Sequence, residues 1–149
     1  NAFKYIIDNG LCDEEGYPYG GDQERCQSAQ CNRVVHISDY SDVEQNDEKV
    51  LKRAVAQQPI SVAIQANLSS LHFYKSGIYQ DSECGDGLDH GVLIVGYGHD
   101  LFRGLDYWII KNSWGDTWGE RGYFKMLRNY KGSESGMCGI ALQPSFPIV

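Results

Sequence analysis

The sequence predicts an α+β fold in which strands dominate from about Val34 onward. Two runs, 88–98 and 106–115, are short, apolar and rich in β-branched or aromatic residues, and they are spaced as the arms of an antiparallel hairpin. Ile60, Val62 and Ile64 alternate with Ser61, Ala63 and Gln65, the period of a half-buried strand. The longer helical patterns are few: Phe3, Ile6 and Ile7 near the start, and Val50, Leu51, Ala54 and Val55 later.

Taken in order, residues 1–9 read as the tail of a helix stopped by Gly10. Residues 13–30 are polar, with Gly16, Pro18, Gly20 and Gly21, and read as loop. A strand is expected over 34–37. A helix follows over 48–57, capped by Asn46 or Asp47 and ended before Pro59. A strand is expected over 60–66, then a helical turn or two within 68–74. After the hairpin, residues 114–122 form a loop rich in glycine and tryptophan. Strands are expected over 122–127, 138–142 and 145–148, with a polar loop at 128–136. Asn67-Leu68-Ser69 is a glycosylation sequon, a tripeptide common by chance.

The hairpin carries the chemistry. With Gly98 opposite Gly104, Ile94 meets Trp108, Val92 meets Ile110 and His90 meets Asn112. Directly opposed side chains lie about 4.5–5.5 Å apart at Cβ, so an imidazole and an amide would touch at the open end. A one-residue slip would separate them onto opposite faces. A lone histidine in such a place is more often a hydrogen-bonded core residue; the amide across from it favours a functional pair. His plus Asn suits nucleophilic catalysis by cysteine. The imidazole takes the thiol proton, and a neutral amide orients the ring without adding a charge that competes with the thiolate. Asp89 is the tempting alternative orienter, but neighbours on a strand point to opposite faces. Trp114 is placed to cover the His–Asn bond from water.

Leu88-Asp89-His90-Gly91 with Gly96-Tyr97-Gly98, Lys111-Asn112-Ser113-Trp114-Gly115 and Trp118-Gly119-Glu120-Arg121-Gly122-Tyr123 resemble the papain family of cysteine proteases. Cys138-Gly139-Ile140-Ala141, Pro144-Ser145-Phe146-Pro147, Asn1-Ala2-Phe3 and Glu15-Gly16-Tyr17-Pro18-Tyr19 extend the resemblance along essentially the whole chain, nearest to the cathepsin L-like and plant papain-like branch. The resemblance implies a two-domain fold with the active site in the cleft between the domains. Residues 1–33 would be the end of the helical domain and residues 34–149 most of the β-barrel domain. It implies His90 as base and later acid, Asn112 as orienter, Trp114 as shield, and Trp118 packed on the same loop or lining the leaving-group side. A pocket for the second residue before the cut would be lined by Ala63, Leu88, Gly91 and Gln143; each also reads plainly as core, tight packing or surface. Cys84 is expected to pair with Cys138. Cys26 matches a family cysteine whose partner lies upstream; Cys12 and Cys31 depart from the commonest family pattern and are expected to pair with each other, although spacing does not fix connectivity.

One departure stands out. The family nucleophile lies in a stretch like C-G-[SA]-C-[WY], well before the histidine, and no such stretch occurs here. The nucleophile and the oxyanion-hole glutamine are therefore expected upstream of Asn1, and this chain by itself is expected to be inactive. The partners implied are a peptide or protein substrate, the missing amino-terminal part, and a propeptide or a cystatin-like inhibitor; no cofactor and no metal is implied. The formal net charge of -7 argues against a nucleic-acid partner, and no apolar run is long enough to cross a bilayer. Five cysteines fit an oxidising environment, and the resemblance implies the secretory pathway with a lysosomal, vacuolar or extracellular site. Two competing functions are a non-catalytic relative acting as a binding or scaffold protein, decided by the residue at the nucleophile position, and a metal hydrolase using some of His36, His72, His90 and His99. The second lacks any H-E-x-x-H or comparable ligand spacing.

Overall fold

The computed structural model describes residues 2–149; Asn1, expected within the helix tail at 1–9 and the first residue of one family motif, lies outside the described residues. The chain divides into two compact units, one running through Ser41 and including Pro147–Val149, the other Asp42–Phe146. In the first, α1 (Ala2–Asn9) ends where Gly10 takes φ +70° and donates its N–H to the Ile6 carbonyl at 2.7 Å. β1 (Leu11–Cys12) pairs antiparallel with β2 (Arg33–Val35), and a disulfide joins Cys12 to Cys31 beside them. Between β1 and β2 the chain is loop apart from a single 3-10 turn, Ser28–Gln30. β3 (Asp39–Asp42) is polar and solvent-facing, which is why its sequence carries no strand signal.

The second unit holds the main core. α2 (Glu48–Val55) starts on Asp47, whose Oδ1 accepts the N–H groups of Lys49 and Val50 at 2.8 and 2.9 Å. Such a cap satisfies backbone donors that the first helical turn leaves without partners, and the Val50 N–H foremost holds the Asp47 carboxyl below its ordinary value. β4 (Ile60–Ile64) buries Ile60, Val62 and Ile64 as its alternation requires. α3 (Ser69–His72) is one turn with Leu71 fully buried, and β5 (Ile78–Tyr79) follows. β6 (His90–Asp100), β7 (Leu105–Lys111) and β8 (Tyr123–Leu127) form an antiparallel meander. β4 pairs antiparallel with β6, β5 runs parallel to β8, and β9 (Ser145–Ile148) meets β4 at Ser61 and Ser145. Ile60, Ile64, Ile94, Trp108, Ile110 and Phe124 are fully buried in the core.

Two expectations need correction. Residues 138–142 are not a strand. Gly136, Cys138 and Gly139 all have positive φ, and a 3-10 turn spans Met137–Gly139. Strand backbone has negative φ, so the apolar run is buried as a turn, tied to Cys84 by a disulfide. The hairpin register also differs. Its strands extend to Asp100 and Leu105, because His99 Nδ1 pairs with Asp106 Oδ1 at 2.9 Å and makes a polar stretch good strand. The turn that remains is closed by Asp100, which accepts the N–H groups of Phe102 and Arg103. Tyr97 therefore faces Trp108, Val95 bulges out, and beyond the bulge Ile94 faces Ile110 and Leu93 faces Lys111.

Glu48 reaches from α2 to this sheet, accepting the Trp108 Nε1–H at 2.9 Å and the Asn129 N–H at 2.8 Å. Burial, opposed by these donors, pushes its carboxyl above the ordinary value. The folded state thus binds this proton more readily than the unfolded chain, so the contribution of Glu48 to stability grows as pH falls through its folded pKa and is lost as pH rises. Urea unfolding of the wild type and Glu48→Gln, which cannot ionise, should show the wild type gaining relative to the variant as pH is lowered from neutral toward the ordinary glutamate range. An unchanged difference would rule this out.

Candidate active site

The site forms where β6 begins and β7 ends. His90 opens β6, and Asn112 follows the last residue of β7. Extending the pairing of Ile94 with Ile110 would put His90 opposite Trp114 and leave Asn112 on its diagonal. Diagonal side chains on one face remain within reach, and His90 Nε2 lies 2.8 Å from Asn112 Oδ1. The backbone N–H of Asn112 donates to the Gly122 carbonyl at 3.0 Å, which anchors the strand end against the following loop.

The amide's orientation follows from its neighbours. Asn112 Oδ1 also accepts the Ser113 N–H at 2.8 Å. The buried Nδ2 has no hydrogen-bond partner among the described residues, so the Ser113 donor sets which way the amide points. An oxygen facing the ring can only accept. His90 Nε2 therefore carries the proton of the neutral imidazole, and Nδ1 is left as the basic nitrogen.

Aromatic rings close over this pair. Trp114 stacks with His90 at 5.1 Å between centroids and with His72 at 4.7 Å. Trp118 meets Trp114 edge-on at 4.9 Å and packs edge-on against the fully buried Phe124. Trp118 Nε1–H donates to the His72 carbonyl at 3.0 Å. Tyr74, beside Trp118, has its phenol pushed up to about 12, by burial first, and donates to the Gly77 carbonyl at 2.6 Å. Asp89 turns away from the ring: its Oδ1 accepts the Ala66 N–H at 2.7 Å. Ala66, Asn67, His72, Asp89, His90 and Trp114 line one open depression.

A family model described as papain family cysteine protease matches residues 1–148. The chain belongs to the papain family. It is 55% identical to the probable cysteine protease RD21C of Arabidopsis thaliana, covering 98% of this chain and 32% of that protein. It is 47% identical to cathepsin L of Sarcophaga peregrina, covering 100% of this chain and 43% of that protein. The bromelain protease of Ananas comosus, solved in complex with the E64 inhibitor, superposes with a TM-score of 0.90 at 41% identity, over 99% of this chain and 67% of that one. The ragweed pollen allergen Amb a 11, solved in its proform, gives 0.92 at 42% identity, over 99% of this chain and 40% of that one. The chain thus spans roughly a third of RD21C and under half of this cathepsin L, and it has the papain-like α+β fold.

Against that papain-family background the remaining residues fall as follows. Ala63 and Gly91 face each other across β4 and β6, and a Cβ added at Gly91 would meet open space. Continuing the register from Ser61 and Ser145 carries the exposed Gln143 toward Ala63. Leu88 packs where a Cβ on Gly139 would come within 2.8 Å of its Cδ2. Cys84 and Cys138 are bonded to each other, and Cys26 is exposed and unpaired. Of the other histidines, His99 is engaged by Asp106 and His36 sits against Gly10, where a Cβ would come within 2.9 Å of its ring. Among the described residues no group of three His, Cys, Asp or Glu is arranged for a metal ion.

The sequence reading gave His72 no part beside His90 and Asn112, naming it only among the ligands a metal hydrolase would use. It sits on α3, some forty residues from the loop it touches, and no local pattern signals a contact of that range. The fixed tautomer is directly measurable. In 15N NMR spectra at a pH where His90 is neutral, Nε2 should appear protonated and Nδ1 bare, and Asn112→Ala should relax that preference. The opposite tautomer in the unaltered chain would refute the assigned amide orientation.

Proposed function

We propose that this chain is the His/Asn part of a papain-type cysteine endopeptidase. The observation that carries the reading is the 2.8 Å contact between His90 Nε2 and Asn112 Oδ1, under the Trp114 indole, with Nδ1 left free. A thiol placed at Nδ1 would give up its proton to form a thiolate–imidazolium pair. The thiolate attacks the scissile carbonyl carbon, and the imidazolium returns its proton to the departing amine as the C–N bond breaks. Water then attacks the acyl-enzyme with His90 as base, releasing the acid and the free thiol. Asn112 holds the ring through both steps, and its neutrality suits it: a carboxylate there would compete with the thiolate for the imidazolium.

The thiol and the oxyanion donors are assigned to residues outside these 149. The family stretch that carries the nucleophile does not occur in this sequence, and the longer relatives leave room for it. On this reading residues 1–33 end the helical domain and residues 34–149 belong to the barrel domain. The partners are a peptide or protein substrate, the rest of the protease, a propeptide like that of the ragweed proform, and cystatin-like or E64-type inhibitors. Two disulfides fit maturation in the secretory pathway, with a lysosomal, vacuolar or extracellular destination.

The full-length protein should cleave a fluorogenic peptide with a hydrophobic second residue, be inhibited by E64, and be indifferent to a chelator. His90→Ala should lower kcat by about 10²–10⁴-fold, the usual contribution of a general base. Full activity in His90→Ala, or none in the wild type, would overturn the reading.

The pocket assignment has its own test. Ala63 and Leu88 make the pocket largely apolar, Gly91 leaves it room, and Gln143 offers a neutral polar group. Gln143→Glu should raise kcat/KM for arginine at the second position before the cut by about two- to five-fold, the range expected for one ion pair at an exposed position. A peptide library profile dominated by arginine in the unaltered enzyme would contradict the assignment.

A further inference from the structure

Trp114 sits in a loop whose backbone turns repeatedly through positive φ, at Gly115, Gly119 and Gly122. Such a loop does not by itself hold an indole in one orientation; its ring partners must. One of these, His90, is the group to be covered. Another, Trp118, is braced from below by Phe124 and Tyr74. The third is His72, presented by α3, which is anchored through its fully buried Leu71. His72 reaches both tryptophans: its carbonyl accepts the Trp118 Nε1–H at 3.0 Å, and its ring lies 4.7 Å from Trp114 at an interplanar angle of 17°. His72 is exposed, and the contact its ring makes is the flat one with the indole rather than with the core.

We infer that His72 is a positioning residue for catalysis, holding the Trp114 indole over the His90–Asn112 pair. This rests on the endopeptidase reading above. The indole keeps water from the hydrogen bond that orients the base, and a bond shielded in this way is stronger than an exposed one. Without a flat ring at position 72, the indole loses the partner that α3 supplies and can rotate away from His90. The role requires a flat ring rather than a titratable one, so phenylalanine can fill it and alanine cannot. His72 also lines the same depression as His90, which gives a rival role as a wall for the leaving group, and the test separates the two.

The experiment uses the full-length protease with His72→Ala and His72→Phe, each assayed on two substrates. One releases a small fluorogenic amine; the other is a peptide continuing several residues past the cut. His72→Ala should lower kcat about three- to ten-fold on both substrates, the range expected for one aromatic pair, with KM little changed, and His72→Phe should recover most of the loss. A loss confined to the longer peptide, a loss equally deep in His72→Phe, or no loss would overturn the inference. Acrylamide quenching of tryptophan fluorescence provides an arm independent of activity. Quenching should rise in His72→Ala, stay near wild type in His72→Phe, and lose this difference in a Trp114→Phe background. Unchanged quenching in His72→Ala overturns the inference. A wild type that cleaves neither substrate refutes the endopeptidase reading instead, and the quenching result still decides whether His72 holds the indole.

Discussion

The face on which the site is built depends on one unpaired residue. Near the hairpin tip, Gly98 faces Tyr107 and Tyr97 faces Trp108. Carried unbroken along the strands, that pairing would turn His90 and Asn112 to opposite faces, because side chains alternate with a period of two. The bulge at Val95 inserts one residue into β6 alone and restores the parity. Ile94 and Ile110 then share the core face, and His90, four residues before Ile94, and Asn112, two residues after Ile110, share it as well. The hydrogen bond at the strand ends follows from an irregularity some five residues away.

Around that bond the structure uses stacking rather than burial. His90 and Asn112 are only half-buried, and the cover comes from Trp114, backed by Trp118 and Phe124. The loop carrying both tryptophans is held by the Gly122 carbonyl accepting the Asn112 N–H and by Gly122 donating to the Trp118 carbonyl at 2.8 Å. Gly122 is itself at φ +85° with a Cβ position 3.1 Å from the Gly115 carbonyl, so a side chain there would disturb the turn that sets both rings. An apolar sheet thus carries a polar pair at its rim, with aromatic rings packed against it.

Much of this was legible in the sequence. The alternation at 60–64, the amphipathic pattern of α2 with its Asp47 cap, and the β-branched arms of the hairpin each report a local preference that tertiary packing left intact. The contact of His90 with Asn112 was expected from a register that proved wrong by two residues, and it survived because an even slip keeps both side chains on one face. The misreading of 138–142 has a different origin: an apolar run signals burial, but it does not say whether the buried backbone is extended or turned.

The residue types at positions 90, 112 and 114 were settled by the sequence alone, and with them the groups available to the site: an imidazole, a neutral amide and an indole. Periodicity and capping likewise settled where the helices and most strands lie, since these depend on neighbours a few residues apart. Only the tertiary structure decided the bulge at Val95, the left-handed turn at Cys138 and the stacking of His72 on Trp114. Each of these depends on which distant segments meet, and backbone geometry across such distances is set by packing and hydrogen-bond closure rather than by local propensity.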